Sequence, residues 1–249
     1  MTTFASTHAS TTDADVPLSP TPRTTVRRSP ARAVTDRAAL FAVLREAVVC
    51  HLGVLVDGVP VVLPTAFGVD PEGPDRGGTL YLHGSVAARS LLAAPEQEVA
   101  VTVTLVDGLV LARSAFHHSM NYRSAVIVGR PRLVTDPEER LHGLDLVVDQ
   151  VVPGRSATVR PHTRKELAAT AVLALPLHEA SVKVRSGDPV DDDADLAAGG
   201  WAGVIPLRTT ASDPVTAADA AGHEVPPEVL ARARNLGGYR AGTQSAAPR

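Results

Sequence analysis

Predicted β-strands follow one another through the middle of this chain with only short connections between several of them. They occupy residues 48–56, 59–69, 79–83, 99–106 and 122–134. The first two are joined by Asp57-Gly58, a two-residue hairpin signal, and Asp107-Gly108 predicts another turn after the fourth. A parallel crossover needs about a dozen or more residues, so the tight turns favour an antiparallel barrel or sandwich over a parallel α/β sheet.

Helix signals are fewer and lie at the edges of this β-rich region. Thr35 or Asp36 is a predicted N-cap ahead of an apolar stripe, and Asp136 before a proline begins a second helix. Thr163 with Glu166 forms a capping box for a third helix. The chain is therefore predicted to be mainly β with peripheral helices.

Composition limits what such a fold can bind. A hydrophobic fraction of 44% over 249 residues supports a sizeable core and excludes a wholly disordered chain. A net charge of -3 gives no basic field for nucleic acid, and no apolar run reaches the ~20 residues that span a bilayer. The single cysteine, Cys50, excludes an internal disulfide and is predicted to be a small buried apolar residue.

Three regions are predicted along the chain. Residues 1–33 are rich in Ser, Thr, Ala and Pro and are predicted to form a disordered arm. Residues 34–207 are predicted to form the folded domain, and residues 208–249 a partly irregular extension. Arg27-Arg28 precedes a stretch that is too charged for an export signal, so the chain is expected to be cytoplasmic.

The segment from His83 to Arg89 carries the clearest chemical signal. A strand ends at His83, Gly84 permits a sharp turn, and Ser85 is predicted to cap a helix over residues 86–93. The free N–H groups at such a helix start attract anions, and Arg89 one turn later can reach a phosphate. The alternative is that Ser85 is only a cap and Arg89 only a solvated arginine.

The remaining polar residues give weaker signals. Adjacent His117 and His118 point apart on an extended chain, and no third ligand stands at a known spacing, so no metal site is predicted. The three aspartates at residues 191–193 are expected to form a solvated loop. No nucleophilic triad or paired carboxylates stand out, so any chemistry is expected to come from a bound cofactor.

In these segments the sequence resembles the flavin-binding split-barrel family typified by pyridoxamine 5'-phosphate oxidase. Within it, the nitroimidazole-resistance and flavin-nucleotide-binding proteins are the most similar branch. The resemblance covers about residues 33–207 and rests on matching pieces at residues 82–89, 121–124, 128–130, 152–155 and 160–161. It implies a six-stranded antiparallel split β-barrel of the FMN-binding type. It also implies a homodimer with one FMN in each cleft between subunits.

The resemblance assigns roles to particular residues. The implied cofactor contacts are Pro64, Thr65, Ala66, Phe67, His83, Gly84, Ser85, Arg89, Ser90, Tyr122, Arg123, Ser124 and Trp201. His83 is also the predicted catalytic residue, while Ser85 and Arg89 match positions that hold the flavin phosphate, with Ser90 beside them. The oxidase itself has a basic pair where Arg89-Ser90 stands here, and its C-terminal arginine motif is not recognisable, which argues against vitamin B6 oxidation.

The predicted function is an FMN-binding oxidoreductase that passes electrons from a reduced nicotinamide to a nitro-aromatic or quinone-like acceptor. The expected partners are a second copy of the chain and a small-molecule substrate, with no nucleic acid and no membrane. Two alternatives stay open. One is a deazaflavin-dependent reductase, and the other is a non-catalytic protein that binds flavin or haem, with His83 or His117 as the haem ligand.

Overall fold

The computed structural model describes residues 17–18 and 21–236, which form eleven strands and six α-helices. The strands are β1 (Ala33–Val34), β2 (Cys50–Val56), β3 (Val59–Thr65), β4 (Phe67–Asp70), β5 (Thr79–Ser85), β6 (Val99–Leu111), β7 (Ser119–Gly129), β8 (Arg132–Leu133), β9 (Thr170–Pro176), β10 (Ala180–Arg185) and β11 (Gly203–Pro206). The helices are α1 (Arg37–Glu46), α2 (Arg89–Ala93), α3 (Pro137–Val151), α4 (Arg164–Ala169), α5 (Asp193–Ala198) and α6 (Pro227–Leu236). Among these helices, none is both long and apolar enough to cross a membrane.

The prediction of a mainly β chain with antiparallel sheets is confirmed, but the strand count differs from the expected six. One sheet has seven strands, in the order β1-β10-β7-β6-β2-β3 with β11 beside β6. The other has four, in the order β4-β5-β9-β8, and the two sheets do not join into one closed barrel. Two of the additional strands, β1 and β8, have only two residues each. Side-chain alternation cannot reveal strands of that length. A further strand arises because Ala66 interrupts the predicted strand over residues 59–69 and divides it into β3 and β4.

The two predicted Asp-Gly turns have different outcomes. Asp57 and Gly58 have φ values of 52° and 78°, the left-handed conformations of a two-residue hairpin turn, and they join β2 to β3 as predicted. Asp107-Gly108 does not form a turn, because it lies inside β6. There Gly108 pairs with Pro206 of β11, and the Leu207 N–H donates to the Asp107 carbonyl at 3.0 Å. The predicted turn is therefore wrong because a distant strand uses this backbone.

The chain divides into two compact units that alternate along the sequence. Of the described residues, the first unit comprises 17–18, 21–105, 123–147 and 162–184, and the second comprises 106–122, 148–161 and 185–236.

The core of the first unit begins with α1. The Asp36 carboxylate accepts a hydrogen bond from the Ala38 N–H at 2.9 Å, so the predicted N-cap is confirmed. Leu40 and Leu44 from this helix are fully buried, as is Cys50 at the start of β2. Burial raises the pKa of the Cys50 thiol to about 12, which agrees with its predicted role as an inert apolar residue.

A second apolar cluster of the first unit surrounds Tyr81 on β5. The ring is fully buried and its hydroxyl donates to Glu139 of α3 at 3.1 Å. A Cβ on Gly143 would lie 2.9 Å from the Tyr81 ring, so glycine allows α3 to approach the sheet closely. Both predicted starts of the later helices are confirmed, since Asp136 accepts from the Glu139 N–H and Thr163 forms its capping box with Glu166.

Part of the predicted disordered arm is packed against the first unit. Leu18 and Thr24 are each 3% exposed. Arg23 forms ion pairs with Glu98 at 2.9 Å and with Glu179. Residues 21–33 are therefore ordered, in contrast to the expectation, because a charged anchor and a buried leucine hold this segment. The rest of the arm, residues 1–16 and 19–20, lies outside the described residues, as does the end of the predicted extension from residue 237 onward.

The second unit contains the later half of β6, paired with β11, and the C-terminal helix. That helix, α6, begins at Pro227 and has Glu228 in its first turn. Glu228 at its start accepts hydrogen bonds from Arg155 at 3.0 Å and from Thr158 at 2.7 Å. These contacts hold α6 to the segment that follows α3.

Candidate functional site

The predicted anion-binding turn forms, but its hydrogen bonds are arranged differently from the prediction. β5 continues to Ser85, where it pairs with Thr170 of β9. The following helix begins at Arg89 rather than at residue 86, and Ala88 is its N-cap without a side-chain hydrogen bond. Ser85 instead closes the turn before the helix, because its Oγ accepts from the Ala87 N–H at 3.2 Å and its carbonyl from the Ala88 N–H at 2.9 Å.

These hydrogen bonds determine which backbone N–H groups remain free to donate to a ligand. The Val86 N–H donates to the Ala169 carbonyl at 3.0 Å, so the three amides at residues 86–88 all have acceptors in the chain. The expectation that they are free is wrong. The amides of Arg89 and Ser90 occupy the first two helical positions, which have no acceptor within a helix.

The Arg89 guanidinium lies at the surface and forms an ion pair with Asp57. Both side chains keep 69% of their surface exposed. Asp57 is the first residue of the β2–β3 turn, where its left-handed backbone presents the carboxylate toward Arg89. An exposed pair of this kind contributes only about 0–1 kcal/mol, so another anion can replace the carboxylate at little cost.

His83 is half-buried two residues before Ser85 on the same strand. It pairs in register with Val172, and its Nδ1 atom is buried without a hydrogen-bond partner among the described residues. Burial lowers the pKa of His83, so the imidazole is neutral at physiological pH. A neutral ring can accept or donate a proton, or bind a metal through its other nitrogen.

Gly84 has a packing role rather than the predicted role in a sharp turn. It lies in extended backbone within β5, opposite Ala171. A Cβ at this position would lie 2.5 Å from the Cδ1 atom of Leu91 in α2. The glycine therefore leaves room for the Leu91 side chain of α2 over the end of the strand.

Residues 64–67 join the edge strand β3 to β4. Pro64 is exposed and pairs with His51, and the Thr65 hydroxyl donates to the Ala66 carbonyl at 3.2 Å. Phe67 is 0% exposed and belongs to the core, so its ring is not available to stack on a ligand. Only the backbone of this segment can serve the cofactor role that the resemblance implies for Phe67.

The other predicted contacts lie on different elements. Arg123 and Ser124 are on β7 of the seven-stranded sheet, where Arg123 forms an ion pair with Glu46. The Ser124 hydroxyl lies 3.5 Å from the Lys183 carbonyl. Tyr122 and Trp201 belong to the second unit, and Trp201 is 71% exposed. The first unit thus brings together the β5–α2 group, which consists of His83, Gly84, Ser85, Arg89 and Ser90.

This group can bind an anion and exchange a proton. Arg89 supplies a permanent cation, Ser85 and Ser90 supply hydroxyls, and His83 supplies a neutral imidazole. Cys50, the single thiol of the chain, is buried and protonated, so it is not an available nucleophile.

Comparison with known proteins identifies the family. The family model described as pyridoxamine 5'-phosphate oxidase matches residues 36–184, more than half of the chain. The protein belongs to the pyridoxamine 5'-phosphate oxidase family. The matched range contains the β5–α2 group and every other predicted cofactor contact except Trp201. No curated protein matches the chain.

Two solved structures from this family are similar to most of the chain. The flavocytochrome Anf3 from Azotobacter vinelandii is 38% identical, with a TM-score of 0.79 over 86% of this chain and 98% of that chain. The FAD and heme binding protein from Mycobacterium smegmatis is 41% identical, with a TM-score of 0.74 over 81% of this chain and 97% of that chain.

A third member of the pyridoxamine 5'-phosphate oxidase family shares the fold at lower identity. It is a structure described as a putative 5-nitroimidazole antibiotic resistance protein from Bacteroides thetaiotaomicron. It is 23% identical, with a TM-score of 0.50 over 61% of this chain and 86% of that chain. The two structures above therefore resemble this chain more strongly than this member does.

The second unit of the present chain contains a polar cluster that was not predicted from the sequence. One donor atom each from His117, Asp192 and Asp195 lies within 4.8 Å of the other two. The expected solvated loop at residues 191–193 is confirmed for the exposed Asp192 and Asp193 but is wrong for Asp191. The Asp191 side chain is 1% exposed and pairs with Arg113, and Asp193 begins α5. The signal that could have found this cluster is the spacing of Asp192 and Asp195, which places both on one side of a helical turn.

Proposed function

We propose that this protein is a flavin-dependent oxidoreductase that also binds haem. One observation carries the proposal: two structures that are 38% and 41% identical, over more than four-fifths of this chain, are described as a flavocytochrome and as an FAD and heme binding protein. Both similarities extend over more residues than the family match at residues 36–184. Identity of this degree supports a shared cofactor class as well as a shared fold.

The β5–α2 group is the proposed site of the flavin phosphate. Arg89 would leave Asp57 and bind the phosphate, because a charge-assisted bond to a dianion is stronger than an exposed carboxylate pair. The hydroxyls of Ser85 and Ser90, and the amides of Arg89 and Ser90, offer further donors. FMN is the predicted cofactor, and FAD has a phosphate at the same place that carries one negative charge instead of two.

His83 is the proposed residue that handles protons at the flavin. A flavin, when bound, supplies electron transfer between a two-electron donor and an acceptor. The lowered pKa keeps His83 neutral, so that it can accept a proton or donate one to a reduced substrate. A reduced nicotinamide is the proposed donor, and a nitro-aromatic or quinone-like molecule the proposed acceptor.

Haem binding is the second part of the proposal and is supported by the descriptions of the same two structures. Iron ligation is the alternative proposed role of His83, because the ring is neutral and its Nδ1 has no hydrogen-bond partner among the described residues. His117 fits less well, since its Nε2 lies 3.3 Å from the Asp192 carboxylate. If His83 binds iron, it does not also serve the flavin.

A homodimer is the proposed assembly, with the cofactor between subunits. The hairpin formed by β2 and the edge strand β3 leaves three large apolar side chains exposed: Leu55 at 49%, Val59 at 61% and Val62 at 66%. An exposed edge strand with apolar side chains commonly pairs with another chain. Light scattering on the purified protein tests this, and a monomer at micromolar concentration would count against it.

The cofactor proposal is tested on the protein as purified. We expect the absorption bands of an oxidised flavin together with a Soret band, and mass spectrometry of the denatured protein separates FMN, FAD, deazaflavin and haem. A colourless protein that takes up none of these on reconstitution would overturn the proposal. His83→Gln then assigns the histidine, because loss of the Soret band with retained flavin makes it the haem ligand.

Turnover separates an enzyme from a storage or sensor protein. The flavin-loaded protein is mixed with a reduced nicotinamide, and the bleaching of the flavin is followed before and after an acceptor is added. We expect bleaching followed by reoxidation by a nitro-aromatic or a quinone. A bound flavin that no nicotinamide reduces would favour the non-catalytic alternative.

A further inference from the structure

A loop of the second unit is held firmly against the start of α5. The Arg113 N–H donates to Asp191 Oδ1 at 2.8 Å, and the Arg113 guanidinium donates to Asp191 Oδ2 at 2.8 Å. This double contact buries the Asp191 side chain, which is 1% exposed, whereas the Arg113 side chain is 27% exposed. It fixes residues 113–117 beside residues 191–195, independently of any ligand.

Three donor groups meet at this junction, on His117, Asp192 and Asp195. His117 Nε2 lies 3.3 Å from Asp192 Oδ2, and all three donor atoms are within 4.8 Å of one another. The His117 side chain is 23% exposed and the Asp192 side chain 78% exposed. An imidazole and two carboxylates thus converge at a place that solvent can reach.

The Asp192 side chain does not cap α5, although Asp192 occupies the N-cap position of that helix. It is the N-cap residue of α5, where an aspartate usually accepts a hydrogen bond from the helix backbone, but it forms no side-chain cap bond. Its carboxylate lies beside His117 instead. A second polar group of the same loop, the Ser114 hydroxyl oxygen, is buried without a hydrogen-bond partner among the described residues.

The charge of the cluster is not balanced by the arginine next to it. Asp192 and Asp195 bring two negative charges close together, while the guanidinium and the backbone N–H of Arg113 both donate to Asp191. A divalent cation bound between the two carboxylates would neutralise both charges. Imidazole nitrogen with carboxylate oxygen is a donor set that suits zinc and other first-row transition metals, whereas Ca²⁺ and Mg²⁺ prefer oxygen alone.

We propose that His117, Asp192 and Asp195 form a binding site for a divalent transition-metal ion, with Zn²⁺ as the reference ligand. Metal bonds of about 2.0–2.2 Å require donors about 3–4 Å apart, so binding needs a small closing movement. The exposed Asp192 side chain is free to make this movement toward the other two donors. Three protein donors leave the remaining position to water. The bound ion would join the His117 loop to α5 and stabilise the second unit.

The experiment titrates the tag-free, cofactor-loaded protein with ZnCl₂ in a calorimeter after treatment with a chelator. We expect one saturable equivalent of Zn²⁺ and a higher midpoint of thermal unfolding when the ion is present. Asp195→Asn should weaken binding by about tenfold or more, because it removes one charged ligand. The matched control is Asp193→Asn, which lies two residues away on the same helix and outside the cluster, and should bind as the wild type does.

A second pair of variants keeps the result interpretable. His117→Gln should lose binding while His118→Gln retains it, since the His118 Nδ1 faces the Ser114 carbonyl at 2.9 Å. Should Asp195→Asn fail to fold by circular dichroism, Asp192→Asn replaces it, because that side chain is largely exposed. Absence of a saturable equivalent in the wild type, or equal binding by Asp195→Asn and Asp193→Asn, would overturn the proposal. Flavin and haem content is recorded throughout, so that failure here stays separate from failure of the proposed function.

Discussion

Two arginines of the first unit are both paired with carboxylates, but their surroundings differ. Arg132 donates to Asp75 at 3.0 Å and 2.9 Å and to Glu139 at 2.9 Å, and those two carboxylates are 13% and 18% exposed. Among the described residues, Arg89 pairs with one carboxylate, that of Asp57, and both groups are 69% exposed. One guanidinium is surrounded by fixed acceptors, and the other is held loosely at the surface.

The difference distinguishes a structural arginine from one available to a ligand. Glu139 also accepts from the buried Tyr81 hydroxyl, so the Arg132 network ties α3 to the four-stranded sheet. The hydrogen bonds to Glu139 and Asp75 raise the pKa of Arg132 even further above its usual range. Arg89 can exchange its partner at little cost because water already screens the pair. The predictions below test this division.

Arg132→Ala should have the largest effect, on stability. Removing the cation leaves two poorly exposed carboxylates without a counter-charge, and the partial exposure of Arg132 reduces the usual penalty. We expect a loss of about 2–3 kcal/mol in the free energy of unfolding. Urea denaturation measures it, and Arg130→Ala, an exposed neighbour, should change it by less than about 0.5 kcal/mol. Equal effects of the two variants would show that the network is not structural.

Arg89→Ala should leave stability nearly unchanged and weaken flavin binding instead. Loss of a charged hydrogen bond to phosphate costs about 1.5–3 kcal/mol, which corresponds to a dissociation constant about 10- to 150-fold higher. Titration of the apoprotein with FMN and FAD, followed by the quenching of flavin fluorescence, gives the constant. Arg76→Ala is the control, since this arginine lies in an exposed loop of the same unit. An unchanged affinity would remove Arg89 from the site.

Asp57→Asn should have the opposite and smaller effect on the same measurement. The substitution removes the carboxylate that competes for Arg89, while asparagine still tolerates the left-handed backbone at this turn position. We expect flavin binding to tighten two- to fivefold, or about 0.5–1 kcal/mol. Weaker binding would mean that Asp57 orients Arg89 toward the phosphate rather than competing with it.

The pH dependence of stability should report the burial of His83. Burial lowers the pKa of His83 in the folded protein, so the unfolded chain binds more protons below about pH 6.5. The contribution of His83 to the free energy of unfolding is therefore complete above that pH and decreases as the pH falls toward the folded-state pKa. The slope of this decrease is at most about 1.4 kcal/mol per pH unit. His83→Gln should reduce the slope of unfolding free energy between about pH 5 and 7. An unchanged slope would place the titration elsewhere.

Local features of this fold could be predicted from the sequence, whereas pairings between distant segments could not. The Asp57-Gly58 hairpin, the Asp36 cap and the Thr163 capping box each depend on residues that are neighbours in the chain. β11 was not recognised as a partner of β6, so Asp107-Gly108 was assigned to a turn. Tertiary pairing overrides a local turn preference in such a case.

The candidate site follows the same division. The order of His83, Ser85 and Arg89 could be taken from the sequence, but the start of α2 could not, because β9 extends β5 and the Ser85 hydroxyl closes a turn before the helix. Asp57 and Asp192 were missed because their partners, Arg89 and His117, are remote in sequence. Burial of the Phe67 ring was missed because β4 is covered on both faces, by the core at Phe67 and by α3 at Gly68.

The buried position of Cys50 has a practical consequence for the second unit. Because this is the one cysteine of the chain and its thiol stays protonated, the wild-type protein is an unreactive background for thiol-specific labels. Cysteines introduced at the exposed Ala115 and Ala197 would therefore take up two spin labels selectively. The distance between those labels could then be recorded by electron paramagnetic resonance across the junction of the His117 loop and α5, with and without zinc.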